Sequence, residues 1–281
     1  WDAYVPRGAA PKIRVRARRS KLIHSDAIAE RVARALERRG NGPGGAAPTV
    51  HVRLEKDRVQ VSVEAADELL HQRGWRADAG AAPLRENLAA ACLAMSGWEV
   101  ESPLWDPFCG SGTLVIEALA RRSPGILKEE QERQIQRWPI FDSAAWDSLE
   151  PGTDDAPLGT ALLGTDRDAQ AIARASANAE RAESSLHTRF EVASVVSGAS
   201  YVPQGAAIVT NTPYGKRLGG GKDLLRAFRD FGSMLTARPD LELVVALVGH
   251  ERFERETGLP WTTLVEFPNR GTRVRLVRLA R

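Results

Sequence analysis

Cysteine, methionine and tyrosine are scarce in this chain of 281 residues, at two, two and three copies. Two cysteines, Cys92 and Cys109, are too few for a disulfide framework, so a reducing cytoplasm is the expected compartment. There is no Cys-x-x-Cys, and His24, His51, His71, His187 and His250 are scattered with no pair at ligand spacing, so no metal is expected. Long apolar runs are missing too. The cleanest, near Leu243 to Val248, falls far short of the ~20 residues of a membrane span. Trp1-Asp2-Ala3-Tyr4 is not the basic and then apolar opening of a secretory leader. The sequence lacks a starting methionine and reads as a fragment whose N-terminal piece is missing. What remains is ordinary for a globular protein, with 43% hydrophobic and 27% charged residues. Global disorder is excluded, and the length suggests about two domains.

Charge is distributed unevenly. Residues 1 to 60 hold 14 Lys and Arg against 6 Asp and Glu, a net of +8, while the other 221 carry a net of −5. A basic end on a mildly acidic body suggests a polyanion-binding portion joined to something else. Within Lys12-Ile13-Arg14-Val15-Arg16-Ala17-Arg18, apolar and basic residues alternate. A strand period of two turns Ile13, Val15 and Ala17 inward and lines Lys12, Arg14, Arg16 and Arg18 along one outer face. A phosphate backbone would relieve the repulsion among four like charges. A solvated edge strand guarded by its charges is the equally open alternative.

Residues 1 to 65 read as a small β-α-β-β portion, with Ser25 as N-cap of a helix carrying Ile28, Val32 and Leu36. Residues 66 to 281 form the second portion. It begins with a lead-in (66 to 98) that contains an alanine-rich helix over Pro83 to Ser96. Strands at 100–105, 161–165, 189–193, 206–210 and 241–248 then alternate with helices at 113–122, 168–183 and 222–237. A polar excursion spans about 121 to 159, and two strands around Pro268-Asn269-Arg270-Gly271 close the chain. The pattern predicts an α/β fold: a doubly wound, mainly parallel seven-stranded sheet, Rossmann-like, with a small N-terminal α+β portion and an antiparallel final pair.

Three segments carry chemistry. Asp106-Pro107-Phe108-Cys109-Gly110-Ser111-Gly112-Thr113 follows a strand and opens a helix. It is neither a P-loop nor G-x-G-x-x-G. An acid at the strand tip repels a pyrophosphate but attracts an ammonium, which favours S-adenosylmethionine over a dinucleotide. Leu163-Gly164-Thr165-Asp166 ends the next strand in an acid, where a carboxylate can accept both ribose hydroxyls of an adenosine. Ile208-Val209-Thr210-Asn211-Thr212-Pro213-Tyr214 ends a strand in Asn-x-Pro-Tyr. Alkylating an exocyclic base amine requires acceptors for both its N–H groups, and the Asn211 side chain with the Thr212 carbonyl could supply them. Pro213 keeps Thr212 extended, and Tyr214 offers a face for a purine. Cys109 has no visible base beside it and reads as a small packed residue; Trp105, Trp138 and Trp146 read as core, and Glu86 and Glu117 as solvated helix residues.

Together these segments, with Leu70-His71-Gln72-Arg73-Gly74-Trp75-Arg76 and Ala82-Pro83-Leu84-Arg85-Glu86-Asn87-Leu88-Ala89, resemble THUMP-domain class I methyltransferases. That family modifies guanine N2 in ribosomal and transfer RNA. Pro124-Gly125 and Arg137-Trp138-Pro139 look like its insertion, and the resemblance runs from about residue 10 to the end. It implies that Asp106, Phe108, Gly110, Ser111, Gly112 and Thr113 hold the methionine part of S-adenosylmethionine. It implies Asp166 for the ribose, Ser194 near the adenine, and Asn211, Thr212, Pro213 and Tyr214 for the target amine, with Asn211 also binding the cofactor. It also makes residues 1 to 65 the later half of a THUMP module, with Lys12, Arg14, Arg16 and Arg18 toward structured RNA.

Thr212 stands where the family has its first proline, which loosens the loop and adds an N–H. Ser194 replaces an acid that usually touches the adenine amine. The expected reaction is methyl transfer to guanine N2 in RNA without metal or covalent intermediate, by a monomer. The alternatives are an adenine N6 methyltransferase on DNA or RNA and a non-catalytic RNA-binding homologue.

Overall fold

The computed structural model describes residues 1–42, 44–66, 69, 72–76, 84–123, 134–148, 161–214, 221–269 and 271–280. Parts of the lead-in (70, 71 and 77 to 83), Pro124-Gly125 and Gly215-Lys216-Arg217 lie outside the described residues. The chain forms two compact units, Trp1–Leu69 with Glu130–Glu150, and Leu70–Glu129 with Pro151–Arg281.

In chain order the elements begin with β1 (Ile13–Arg18), α1 (Ser25–Glu37), β2 (Val50–Glu55) and β3 (Arg58–Val63). Next come α2 (Glu86–Ser96), β4 (Leu104–Asp106), α3 (Thr113–Arg122) and the short α4 (Ser143–Asp147). They continue with β5 (Leu162–Asp166), α5 (Ala169–Arg181), β6 (Arg189–Val192), α6 (Val195–Gly198) and β7 (Ala207–Asn211). The last are α7 (Gly221–Ala237), β8 (Val244–Val248), α8 (Phe253–Thr257), β9 (Trp261–Asn269) and β10 (Thr272–Leu279).

In the first unit, β1 and β2 run parallel and β2 and β3 antiparallel, in the order β1-β2-β3. The alternation expected of β1 is present: Ile13, Val15 and Ala17 pack with Val50, Val52, Leu54 and Leu36, while Arg14, Arg16 and Arg18 are exposed. Ser25 is the first helical residue of α1; the N-cap position falls on His24, whose side chain makes no capping bond. Two residues of the polar excursion belong here, because Ile135 N–H donates to the Ala65 carbonyl and Ile140 N–H to the Ala3 carbonyl, each at 3.1 Å.

The second unit is the predicted doubly wound sheet, ordered β6-β5-β4-β7-β8-β10-β9. The first five strands are parallel, and β10 is antiparallel to β8 and β9. Every residue of β4, β7 and β8 is buried, as strands covered on two faces must be. Alternation divides the core. Trp105, Leu163 and Ile208 pack with Phe228 and Phe231 of α7 and Phe253 of α8 on one face. Leu104, Leu162 and Val209 pack with Leu93 of α2 and Leu114 of α3 on the other. β4 starts at Leu104 rather than at Val100, because Ser102 N–H closes a turn on the Glu99 carbonyl at 2.9 Å. The chain moves outward from β4 through β5 to β6, then returns to β7 on the far side of β4. That reversal opens a crevice beyond the carboxyl ends of β4 and β7, the place where open α/β sheets take ligands.

Candidate active site

At the tip of β4, the Asp106 carboxylate accepts from Thr210 Oγ1 at 2.5 Å and from Phe108 N–H at 3.1 Å. Full burial pushes its pKa up to about 7 despite those two bonds, and nearby Asp166 adds to the rise. Asp166, at the tip of β5, accepts from Gly110 N–H at 3.1 Å and Asp168 N–H at 3.0 Å. Burial raises its pKa as well. The next carbonyl of the glycine turn, that of Ser111, accepts from Asn178 Nδ2 of α5 at 3.0 Å. Gly110 has φ of +54° and open space where a Cβ would stand. Gly112 has φ of +81°, and a Cβ there would come within 2.9 Å of the Phe190 ring and 3.1 Å of Ala175.

These groups surround a cavity of about 690 Å³, inside the range of roughly 300–1,000 Å³ usual for ligand sites. Of the residues singled out from sequence, Asp106, Phe108, Gly110, Ser111, Thr113, Asp166, Ser194, Asn211 and Pro213 line it. Gly112 does not; it sits where α3 packs tightly against Phe190, so its small size serves packing rather than ligand approach. Tyr214 is not in the lining either. Its ring lies against Gly249, whose Cβ would meet it at 2.7 Å, and its hydroxyl accepts from Asn269 Nδ2 at 3.2 Å.

Thr212 is fully buried, and both its N–H (3.1 Å) and its hydroxyl (3.0 Å) donate to the Leu247 carbonyl of β8. The N–H expected to loosen the loop therefore ties it to the neighbouring strand. Ser194 caps α6 in a reciprocal box with Ser197. Asn211 Oδ1 is buried and has no hydrogen-bond partner among the described residues. An acceptor desolvated in this way gains most from a ligand that brings N–H groups.

Several site residues escaped the sequence reading. Asp223, Arg226, Ala227 and Asp230 of α7 form a further wall of the cavity, and Arg167 and Arg174 join it beside Asp166. Nothing local marks α7 as a lining helix, because only the return of the chain to β7 carries it there. Asn178 and Thr210 act through bonds across 67 and 104 residues. Glu86 and Glu117, read as solvated, are 3% and 2% exposed. Arg76 Nε lies 3.3 Å from Glu86 and Arg73 Nη2 lies 3.3 Å from Glu117. The lead-in thus supplies cations that let two helical carboxylates be buried. Burial still pushes Glu117 up to about 7. Cys109 is buried, and burial together with Asp106 and Asp166 keeps its thiol well above its usual pKa, which fits a packed residue and not a nucleophile.

Among the described residues no group of three or more His, Cys, Asp or Glu could hold a metal, and no helix is long and apolar enough to cross a membrane. In the first unit, Lys12, Arg14, Arg16 and Arg18 are exposed along β1, and Arg53 of β2 lies opposite Arg16 in register.

The donor set fits S-adenosylmethionine. Asp106 places a buried carboxyl where an α-ammonium would fit, Gly110 leaves the backbone open, and Asn211, whose Oδ1 has no partner among the described residues, is among the lining residues of the same cavity. A doubly wound sheet with this acid, this glycine turn and an Asn-x-Pro-Tyr strand end is a class I methyltransferase domain. Sequence comparison narrows the class: the chain belongs to the family described as RMKL-like, methyltransferase domain, which matches residues 73–266.

The chain is 39% identical over 195 residues to the ribosomal RNA large subunit methyltransferase K/L of Legionella pneumophila (strain Lens), a match covering 66% of this chain and 27% of that protein. It therefore spans little more than a quarter of that relative's length. By structure it is similar to a predicted N6-adenine-specific DNA methylase from Listeria monocytogenes, with a TM-score of 0.76, 25% identity, and coverage of 98% of this chain and 75% of the other. It also shares its fold with SMU.472, a putative methyltransferase complexed with SAH, at a TM-score of 0.72, 22% identity, and coverage of 99% and 76%.

Proposed function

We propose that this chain transfers a methyl group from S-adenosylmethionine to the exocyclic N2 of a guanine in ribosomal RNA, or otherwise transfer RNA. The observation that carries the reading is the shared cavity. Residues of the acid-tipped glycine turn and Asn211 line one space at the reversal of the sheet, and Asn211 Oδ1 is buried with no hydrogen-bond partner among the described residues. The relative's name, a ribosomal RNA large subunit methyltransferase, supports the substrate, and the SAH bound to the neighbouring fold supports the cofactor.

S-adenosylmethionine would supply an electrophilic methyl on a sulfonium. The chain's part is positioning. Asp106 holds the ammonium, Asp166 braces the turn and meets the ribose, and Ser194 borders the adenine. Asn211 Oδ1 and the Thr212 carbonyl accept the two amine N–H groups, which directs the nitrogen lone pair at the methyl. Thr212 can hold that carbonyl steady because its N–H and hydroxyl are anchored on Leu247. Pro213 keeps the preceding backbone extended, and Tyr214 backs the loop. Charge build-up is modest, so neither a metal nor a covalent intermediate is required. A paired guanine must leave its stack, at a cost of a few kcal/mol unless it lies in a loop.

Residues 1 to 65 serve in this reading as the later half of a THUMP-like RNA-binding module. Lys12, Arg14, Arg16 and Arg18 lie along the phosphate backbone, and the reaction takes place in the cytoplasm. The test is nucleoside mass spectrometry of RNA incubated with the protein and labelled cofactor. N2-methylguanosine is expected. N6-methyladenosine would replace this reading with the rival suggested by the Listeria neighbour's name, since an Asn-x-Pro-Tyr loop accepts any exocyclic amine. Cofactor binding with no methylated product on any RNA or DNA would support a non-catalytic RNA-binding protein.

A further inference from the structure

The loop after β1 meets the hairpin turn between β2 and β3 at one tip of the smaller sheet. Glu55 and Arg58 pair in register, so Lys56 and Asp57 are the two central residues of the turn. Their φ values are +52° and +61°, the pattern of a type I′ turn, and Arg19 in the loop has φ of +50°. The left-handed region is costly for a residue with a Cβ, and Asn-Gly or Gly-Gly makes the same turn at less cost. Asp57 has a visible reason to be there. Its Oδ1 accepts from Lys21 N–H at 2.7 Å, and its own N–H donates to Ser20 Oγ at 3.0 Å. Lys56 N–H adds a bond to the Arg18 carbonyl at 3.4 Å. Together these bonds clasp the loop to a turn 36 residues further on.

Nothing comparable within the fold accounts for Lys56 and Arg19. Among the described residues neither side chain makes a hydrogen bond or an ion pair, and the same is true of Lys21 and Arg58. All four are exposed. The acids at the tip are already engaged, because Glu55 accepts from Arg53 at 2.5 Å and Asp57 holds the loop. Arg18 and Lys56 reach Glu55 only through its field. Cations gathered without partners repel one another, and phosphate groups relieve that repulsion while releasing counterions. Backbone strain that brings no contact inside the fold is the kind that clusters at ligand clamps.

We infer that this tip is a phosphate clamp for RNA: Arg19, Lys21, Lys56 and Arg58 take backbone phosphates beyond those met by the row on β1, and Asp57 is the positioning residue that holds them together. The inference rests on the RNA reading of the smaller unit. Position supports it as well as charge, because Arg18 ends the basic row of β1 and is bonded through its carbonyl to Lys56. A backbone lying along that row continues onto the clamp. Such a contact positions the nucleic acid and reads no base.

The test is fluorescence anisotropy of a short fluorescein-labelled RNA duplex titrated with the full chain at several salt concentrations, with Tm measured for each variant. Lys56→Gly relaxes the turn and removes one charge. It should raise Tm, yet bind RNA about fivefold more weakly at low salt and lower the slope of log affinity against log salt by about 0.7 to 0.9. Lys56→Arg should bind as the unaltered protein does. Asp57→Gly removes an acid and a strained residue together, so charge alone predicts tighter binding. Release of the clasp should instead weaken binding about threefold, since the cations are no longer held in place beforehand. Asp57→Asn keeps the Oδ1 acceptor and should bind at least as tightly as the unaltered protein. Arg31→Gln, which removes an exposed charge from α1, should leave the slope unchanged. Unchanged RNA affinity in Lys56→Gly, tighter binding in Asp57→Gly, or an equal loss of slope in Arg31→Gln would overturn the inference and leave the RNA reading standing. A folded, unaltered protein that binds no RNA would remove the RNA reading, and the clamp with it.

Discussion

Thr210 Oγ1 lies 2.5 Å from Asp106 Oδ1, joining strand tips 104 residues apart. Thr210 immediately precedes Asn211, so the acid of the glycine turn and the Asn-x-Pro-Tyr loop are set by one bond. Thr210→Val keeps the shape of the side chain and removes its donor. It leaves Asp106 with one fewer bond favouring its charged form, so cofactor affinity should fall several-fold at neutral pH. The loss should shrink at pH 9, where Asp106 is ionised in either protein. A loss independent of pH would mean that Thr210 does not act through Asp106.

Asp106 predicts a proton exchange on binding. Burial pushes its pKa up to about 7, so the empty site holds a proton there at pH 6. An ammonium requires the carboxylate. Binding at pH 6 should then release a proton, and affinity should decline by up to about tenfold per unit as pH falls below 7. Calorimetry in two buffers of different ionisation enthalpy measures the release directly. Asp106→Asn should abolish it and weaken binding throughout. Proton uptake, or none, would contradict the role of Asp106.

Glu117 makes the opposite kind of prediction, one about the empty fold. Burial pushes its pKa above the ordinary carboxylate range, up to about 7, so the folded protein holds a proton that the unfolded chain gives up. Its stabilising contribution is complete below about 4.5 and is lost as pH rises through about 7. Asp106 acts in the same direction. Urea unfolding should show greater stability at pH 5 than at pH 7.5, and Glu117→Gln should narrow that difference. An unchanged difference in Glu117→Gln would place the titration elsewhere.

The two glycines of the turn should separate stability from binding. Gly112→Ala puts a Cβ at φ +81° and 2.9 Å from Phe190. The strain and the clash together should cost about 1–3 kcal/mol and lower Tm by several degrees. Gly110→Ala meets nothing within 4 Å and lines the cavity. It should cost less in Tm but more in cofactor affinity. The reverse ranking would return Gly112 to the ligand.

Much of this architecture was legible because it is local. Asp106, the small residues after it and Asp166 sit at strand ends that apolar runs reveal, and β1 announces its two faces by alternation alone. What stayed hidden depends on partners far away in the chain. Thr212 read as a looser substitute for proline, yet its extra N–H and hydroxyl find the Leu247 carbonyl, 35 residues on. Glu86 and Glu117 read as solvated because a carboxylate on a helix usually is, whereas the arginines that bury them come from a segment without helical or strand periodicity. The α7 wall of Asp223, Arg226 and Asp230 is another case, since a charged helical face does not say whether it meets solvent or a cavity.

Asn211 is the sharpest test of the chemistry. Its Oδ1 has no partner among the described residues, so removing it leaves nothing unsatisfied in the empty site. Asn211→Ala should therefore fold normally and bind S-adenosylmethionine near normally, while methyl transfer drops by at least about 100-fold, the scale of losing one oriented group at a reacting centre. Asn211→Asp keeps an acceptor but adds a charge beside Asp106, and it should bind cofactor with altered pH dependence while recovering part of the transfer. If cofactor binding and transfer fell together in Asn211→Ala, the residue would belong to the cofactor's side of the cavity instead.

On the RNA-binding proposal, the exposed basic row on β1 sets a different quantity, the salt dependence of RNA binding. Each phosphate contact contributes about 0.7 to 0.9 to the slope of log affinity against log salt. If these side chains meet the backbone and not the bases, replacing Arg14, Arg16 and Arg18 with Gln should lower that slope by roughly 2 to 3, across RNA sequences alike. Arg53, in register beside Arg16 and exposed, extends the same face, and Arg53→Gln should add a further step. Cofactor affinity should not move in any of these variants, since none of the four residues lines the cavity of the larger unit. An unchanged slope would make the row what an edge strand often is, a set of charges that only keeps other strands away.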